Sequence, residues 1–444
     1  MKNKIEDFND DELMQELIRR RNKNDLGATS TFIEDDAESI GEQLSYKRYA
    51  ASLDAKSDAE DGSAKRCPRC GALCSVKQKR AKRRIQSSTG VHFFRRNRHH
   101  CAACKKGFFP LDIELELPEK GEVTSKLEAR LLDMAIHSPF EEAAQRWEIH
   151  HSTHASENLF RRIIERVGKR AQNCSRSILA ESLRAPNKEF SSLLVASVDG
   201  SMLPTRGEDD WREVKLGVVY RGENRVQQGK RGFISEADYV ASINGIADFS
   251  KEMKVILHKE KADDVDVVVW LGDGASWVWN LAADICPNAV CILDWFHAVE
   301  NAEATALTVF GKTPWRRDWV ERVKFLLHNS EIELLLEELE ACCFLVNGKE
   351  RDEVIRLKNY FTNNKERIRY SDFRRRELPI GSGVIEGSHR HVLQKRLKLA
   401  GQHWNPSRLG RIAFLRAALA TSGPKAFHRA INVAARQTAE LHAA

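Results

Sequence analysis

Long apolar runs are missing from this 444-residue chain, and none approaches the ~20 residues that cross a bilayer. The first residues, Met1-Lys2-Asn3-Lys4-Ile5-Glu6-Asp7, lack the apolar core of a signal peptide. A cytoplasmic protein is therefore expected. Cysteine is scarce as well, and ten in a chain of this size are too few for a disulfide scaffold. No internal repeat is evident. Acids are absent from two long blocks: residues 65–106 hold 14 Lys and Arg with no Asp or Glu, and residues 387–439 hold 10, again with none. The net charge is only +7 because residues 1–62 carry 16 acids against 9 bases. Two acid-free blocks of this length point to phosphate contact at two places rather than to an ordinary solvated face.

The pattern along the chain divides it into segments. Residues 1–64 read as a short helix, Asp11 to Arg21, and a loose acidic linker. Residues 65–118 read as a cysteine-bearing module that leaves through the turn Pro118-Glu119-Lys120-Gly121. Residues 122–172 carry three helical stripes. The break between the second and third, Glu148 to His151, predicts a helix-turn-helix with the third helix starting near Ser152. From 190 to 295 the period switches to strands at 193–198, 214–220, about 239–243, 267–272 and 289–293, with helices at 246–258 and 277–285. That β-β-β-α-β-α-β order predicts an α/β, RNase H-like fold with a mixed sheet. Residues 296–378 read as helical, 379–425 as a further helix with a basic region, and 426–444 as a tail.

Cys67-Pro68-Arg69-Cys70-Gly71 and Cys101-Ala102-Ala103-Cys104 have the form of two zinc knuckles. Cys67, Cys70, Cys101 and Cys104 would close a structural Zn²⁺ site with no open position for catalysis. Gly71 and Gly107 follow the knuckles, where a positive φ is useful. Between them, Val91 to Arg96 reads as a ribbon strand. Cys74 is a spare thiol, and Cys174, Cys286, Cys291, Cys342 and Cys343 read as small buried residues.

Three carboxylates carry most of the chemistry. Asp199 ends the run Leu193 to Val198, Asp273 ends Val267 to Gly272, and Glu386 sits in Gly381-Ser382-Gly383-Val384-Ile385-Glu386-Gly387-Ser388 ahead of a basic helical stretch. In the expected strand order the first and fourth strands are neighbours, so the two aspartates should meet. Gly200 and Gly274 follow them and permit close backbone approach. Carboxylates forced together repel, and a bound cation relieves that. Two aspartates and a glutamate suit a pair of hard divalent cations, Mg²⁺ or Mn²⁺, and phosphodiester chemistry.

Those motifs, with Asp294-Trp295-Phe296-His297 and the run Val392 to Trp404, resemble the DDE transposases of bacterial insertion sequences. The ISKra-type family, distant Mutator-like relatives, is the most similar. The resemblance covers roughly residues 65–425. It implies that Asp199, Asp273 and Glu386 hold two metal ions. It also matches Asp294 and His297 to an Asp-x-x-His element, and the 112 residues between Asp273 and Glu386 to an all-helical insertion. Many such enzymes place Lys or Arg seven residues after the glutamate; here that position is Leu393, and Arg390, Lys395 and Arg396 are the alternatives. The function implied is metal-dependent cleavage and strand transfer on DNA, by at least a dimer, in association with the nucleoid. His151, Ser152, His154, Asn158 and Arg161 are the candidate DNA contacts of the helix-turn-helix. The rivals are an inert DNA-binding regulator and an RNase H-like nuclease that cuts without joining.

Overall fold

Two cation-rich segments, 76–87 and 90–101, flank the turn at Ser88-Thr89, and in the computed structural model they form an antiparallel ribbon. The structure describes residues 28–442 apart from 119–120, 152, 187–190, 208–209, 229–230 and 382, together with residues 15, 18 and 19. The expected helix Asp11 to Arg21, most of the turn at 118–121, and Ser152 and Ser382 fall wholly or partly outside the described residues. The chain divides into two units, Met1–Leu131 with Glu141–Glu157 and Leu132–Phe140 with Asn158–Ala444.

The first unit contains helix α1 (Ser30–Asp58), where the sequence predicted a loose linker. Two things hold it. Thr29 caps it by accepting from the Phe32 N–H at 3.3 Å. Tyr49 and Leu53, one turn apart, pack with Ile85, Phe94 and Leu111. Two short strands, β1 (Lys65–Arg66) and β2 (Leu73–Cys74), frame the first cysteine pair. Strands β3 (Val76–Ser87), β4 (Gly90–Cys101) and β5 (Lys106–Phe108) form a sheet in that order, and α2 (Pro110–Glu114) follows. The expected ribbon strand Val91–Arg96 lies within β4.

The three helices predicted over 124–170 are α3 (Ser125–His137), α4 (Phe140–His150) and α5 (Glu157–Gln172). The break between the last two covers residues 151–156, longer and later than the sequence indicated. Its cause is Trp147, 1% exposed, whose Nε1 donates to the Thr153 carbonyl while its ring lies 3.9 Å from that of His151. The chain wraps the indole before it can restart a helix.

In the second unit, helix α6 (Arg176–Leu183) precedes a five-stranded sheet of order β10-β7-β6-β11-β12. Strand β6 (Leu193–Pro204) pairs antiparallel with β7 (Trp211–Arg221), and β7 pairs antiparallel with β10 (Asp238–Ser242). On its other side β6 pairs parallel with β11 (Val267–Gly272), which pairs parallel with β12 (Val290–Leu293). Helices α7 (Ile246–Lys259) and α8 (Ser276–Ile285) make the crossovers. Leu194 to Val198 are buried without a break, as a central strand covered on both faces requires. An additional hairpin, β8 (Arg225–Gln228) with β9 (Arg231–Ile234), projects between β7 and β10.

After β12 the chain is helical: α9 (Trp295–Phe310), α10 (Pro314–Asn329), α11 (Ile332–Leu345), α12 (Gly348–Asn363) and α13 (Tyr370–Arg375). Then come α14 (Gly383–Ser388), a π-helical turn over His389–Gln394, α15 (Lys395–Leu397), α16 (Pro406–Ser422) and α17 (Pro424–Leu441). The segment read as a tail is mostly α17, because Phe427, Ala430, Ile431 and Ala434 form an apolar stripe that is buried. No helix among the described residues is long and apolar enough to cross a membrane.

A buried ion network ties β7, β10 and α7 together. Glu260, 0% exposed, accepts from Arg221 Nε at 2.8 Å and Arg184 at 2.9 Å, and Asp238 accepts from Lys259 Nζ at 2.7 Å. Removing one partner from a buried network leaves an uncompensated charge. Glu260→Gln should therefore lower unfolding stability by about 3–5 kcal/mol, read from urea denaturation curves.

Candidate active site and metal centre

The pairing of β6 with β11 ends at Ser197 opposite Leu271, and that of β11 with β12 ends at Gly272 opposite Leu293. Carried one or two residues further, the same register sets Asp199, Asp273 and Asp294 abreast on three neighbouring strands about 4.8 Å apart. Asp199 does not end its strand, as the sequence predicted. β6 continues to Pro204 on its β7 side, and only its β11 side opens at this level. The glycines after both aspartates serve close approach. A Cβ on Gly200 would meet Glu213 Oε1 at 2.1 Å, and one on Gly274, whose φ is +101°, would meet the Tyr360 ring at 2.6 Å.

Glu386 on α14 joins Asp199 at one open depression of about 380 Å³. Gly200, Ser201, Glu300, His389, Arg390 and Gln394 complete its lining. Glu300, His389 and Gln394 were not singled out from the sequence. The signal was there for two of them: Glu300 follows His297, and His389 follows Glu386, each by the three-residue step that shares a helix face.

His389 is 4% exposed, and its Nε2 stands 3.0 Å from Asp199 Oδ2. The other Asp199 oxygen accepts the Gly200 N–H at 2.6 Å. Burial pushes the Asp199 carboxyl up. The His389 ring, the Gly200 N–H and the charge of His297 outweigh that and hold it below the usual carboxylate range. Asp199 is thus ionised at neutral pH. Asp273 is half-buried, its Oδ1 accepting from the Ala275 N–H at 2.9 Å, while Tyr360 donates to its carbonyl at 2.8 Å. Asp294 is fully buried and caps α9, accepting from both the backbone N–H of His297 at 2.8 Å and its Nδ1 at 2.9 Å.

Among the described residues, only the four cysteines bring three or more metal-ligand atoms into one tight cluster. Asp199, Glu386 and Glu300 set hard oxygen donors around the depression, whereas Asp273 is not part of its lining. That set fits magnesium or manganese in kind, since such ions keep several waters and take one or two carboxylates each.

The three alternative cations now separate. Arg390 lines the depression, and Lys395 is exposed away from the lining. Arg396 is 1% exposed, donates from Nε to the Ala135 carbonyl at 3.3 Å and lies over the Phe140 and Trp404 rings, so packing claims it. Leu393 is fully buried. The π-helical turn delays each side chain, so Gln394 takes the face that the seventh position after Glu386 would hold in a regular helix.

In the ribbon, Cys67 Sγ lies 4.0 Å from Cys104 Sγ and Cys70 Sγ 3.5 Å from Cys101 Sγ, with all four within 4.8 Å of one another. A tetrahedral zinc at ordinary Zn–S distances needs sulfurs ~3.8 Å apart, so the donor set fits that ion. Cys74 turns its thiol to the Ala72 carbonyl at 3.3 Å and stays outside the set. Gly71 has the expected positive φ, +73°, but in the second knuckle Lys105, at +52°, takes that role instead of Gly107.

The candidate DNA contacts do not form one helix start. His151 stacks on Trp147 and His154 Nδ1 stands 2.9 Å from Glu148 Oε1, both in the connection before α5. Asn158 and Arg161 lie on the first turns of α5 and bond to each other at 3.0 Å.

The chain belongs to the Uncharacterised protein family (UPF0236), which matches residues 70–431. The UPF0236 protein in vanSb 3'region of Streptococcus gallolyticus is 24% identical to it over 311 residues, 68% of this chain. The chain spans 65% of that relative's length. Among solved structures, the Drosophila P element transposase strand transfer complex superposes with a TM-score of 0.26 at 10% identity, over 68% of this chain and 80% of that one. A likeness that slight carries no argument about mechanism.

The Asp294 hydrogen bond outweighs the opposing effect of burial, and with the charges of Asp294, Asp273 and Glu300 it pushes the His297 imidazole up to about 9 from 6.5. A raised folded value means that the stabilisation is complete below pH 6.5 and is lost as pH rises through about 9. It is worth roughly 3 kcal/mol at most. Without added divalent cations, stability should fall across that window by urea titration, and Asp294→Asn should flatten the fall.

Proposed function

We propose that the chain is a DNA transposase of the DDE type, related to the ISKra-type insertion sequences, with an RNase H-like catalytic domain. The reading rests on one observation above all. Strand β6, which carries Asp199, pairs with β11, which ends just before Asp273, and Glu386, 113 residues after Asp273, lines the same depression as Asp199. The 3-2-1-4-5 strand order with a single antiparallel half supports the fold, and helices α9 to α13 stand where an insertion would separate the second aspartate from the glutamate.

A bound pair of divalent cations would supply charge neutralisation at the scissile phosphate and a more acidic attacking water. Asp199, Asp273 and Glu386 would hold it, with Glu300 as a further carboxylate at the rim. His389 fixes the Asp199 carboxylate, and protonated His297 offsets the crowding of Asp273 and Asp294. Arg390 and Gln394 are placed to orient the DNA phosphate. Water would nick the element end first, and the freed 3′-hydroxyl would then attack target DNA in line, with no covalent protein intermediate. Two ends need two sites, so the working form is at least a dimer. The Cys67, Cys70, Cys101 and Cys104 ribbon would be a zinc ribbon, and α3 to α5 would serve end recognition as a helix-turn-helix variant with a lengthened turn.

The test uses a labelled element end with Mg²⁺ or Mn²⁺. The protein should nick the end and join it to target DNA. Asp199→Asn, Asp273→Asn and Glu386→Gln should each lose both steps and keep end binding; residual chemistry in Asp199→Asn would overturn the site. Nicking without joining would mean a nuclease, and binding alone a regulator. Elemental analysis should find one zinc per chain, lost in Cys67→Ser with Cys101→Ser.

A further inference from the structure

The β3–β4 ribbon has two unlike faces. Ile85, His92, Phe94 and Arg96 point inward and are buried. The paired outward positions are Lys82 opposite Arg95 and Arg84 opposite Phe93; beyond a bulge in β3, Gln78 pairs with Arg98, which is exposed although it has the parity of Arg96. Asn97, 6% exposed, fixes that bulge by accepting the Arg80 N–H at 3.0 Å, and Arg80 adopts φ +51°. Bulges re-aim side chains, and this one leaves Lys79 and Arg80 both exposed.

The inward and flanking cations have partners: Arg96 pairs with Asp112, Arg84 with Glu122, Arg80 with Asp58 at 3.3 Å, and Arg83 donates to the Pro118 and Gly121 carbonyls. Lys77, Lys79, Lys82, Arg95 and Arg98 have no ion-pair partner among the described residues. Phe93, in the midst of them, is 67% exposed. Lys82 and Arg95 share the face of Phe93, and Lys77, Lys79 and Arg98 are exposed beyond the bulge. Like charges this close and unpaired repel one another, and a polyanion relieves this. A two-stranded ribbon fits the ~12 Å major groove of duplex DNA, where phenylalanine contacts the thymine methyl group.

We propose that the outward face of β3–β4 enters the major groove of duplex DNA, with Phe93 against base edges, Lys82 and Arg95 on the adjoining phosphates, and Lys77, Lys79 and Arg98, beyond the bulge, on phosphates at the groove edge. This deepens the reading of the chain as a DNA-acting protein and does not depend on the carboxylate site.

The experiment is fluorescence anisotropy on the full chain across a salt series, without added divalent cation, using the element end, an unrelated duplex, a single strand and an RNA duplex. Lys79→Gln, Lys82→Gln and Arg95→Gln combined should lower the slope of log K against log salt by about three, close to one per cation removed. Phe93→Ala should leave the slope and narrow the preference for the element end. On the unmodified protein, duplex DNA should shield Lys77, Lys79 and Lys82 from acylation, a readout that needs no variant to fold. An unchanged slope, unshielded lysines, or equal affinity for single strand or RNA would overturn the proposal. Asp199→Asn should bind as the parent does, so a failure of the chemistry stays distinct from a failure of the ribbon face.

Discussion

The parallel pairing of β6, β11 and β12 is the constraint on which the second unit depends. It fixes not only the core but the level at which three aspartates end abreast. Neighbouring strands cannot move apart without losing the ladder, so the carboxylates cannot relax by separation. Their repulsion is met locally instead: His389 at Asp199, the Ala275 N–H at Asp273, and the doubly bonded His297 at Asp294. The helical segment after β12 is fastened to the same strand ends. Tyr360 donates to the Asp273 carbonyl, Tyr370 donates to the Leu293 carbonyl at 3.0 Å, and the Trp295 N–H donates to Ile380 at 2.9 Å. The last of these returns the chain to the sheet just before Glu386.

Much of this was legible because buried parallel strands leave an unmistakable trace, and runs such as Val267 to Gly272 admit little else. Element bounds were harder. β6 runs past Asp199 because its pairing with β11 stops at Ser197, while the β7 ladder continues through Ser201 to Pro204. α1 was misread because its amphipathic stripe is thin; only Leu53 and Ser57 are buried in it, and the acids on its remaining faces imitate a linker. The segment expected as a tail is helical because Gly423 caps α17, Pro424 opens its first turn and its apolar stripe is buried. The length of the α4–α5 turn could not be read at all, because it is set by contacts of one indole with Thr153 and His151.

For the site, the strand-borne aspartates followed from register, whereas the helix-borne groups needed a phase that sequence alone does not provide. Counting seven residues from Glu386 assumes an unbroken α-helix. The π-helical turn begins at His389 and breaks that count, burying Leu393 and presenting Gln394. Such turns concentrate at functional sites, and this one sets His389 against Asp199 while keeping Arg390 at the rim. Glu300 lies on α9 one helical turn beyond His297, and its place at the depression depends on the phase of that helix.

The modest net charge conceals how the charges are used. Within residues 65–106 a neighbour in the chain meets only the first cation, Asp61 standing 3.7 Å from Lys65. Asp58, Asp112 and Glu122 reach in from outside the block, and they reach only Arg80, Arg96 and Arg84. Within β3 and β4 the fold thus pairs Arg80, Arg84 and Arg96, turns Arg83 to backbone carbonyls, and leaves Lys77, Lys79, Lys82, Arg95 and Arg98 without an ion-pair partner among the described residues. Compact proteins gain nothing internally from such an arrangement, since like charges side by side lower stability. An external polyanion reverses the sign of that term. The carboxylate depression is the converse case, a cluster whose repulsion hard cations would relieve. A chain that keeps acid and base apart can meet both ligands, because neither set is cancelled by the other within its own unit.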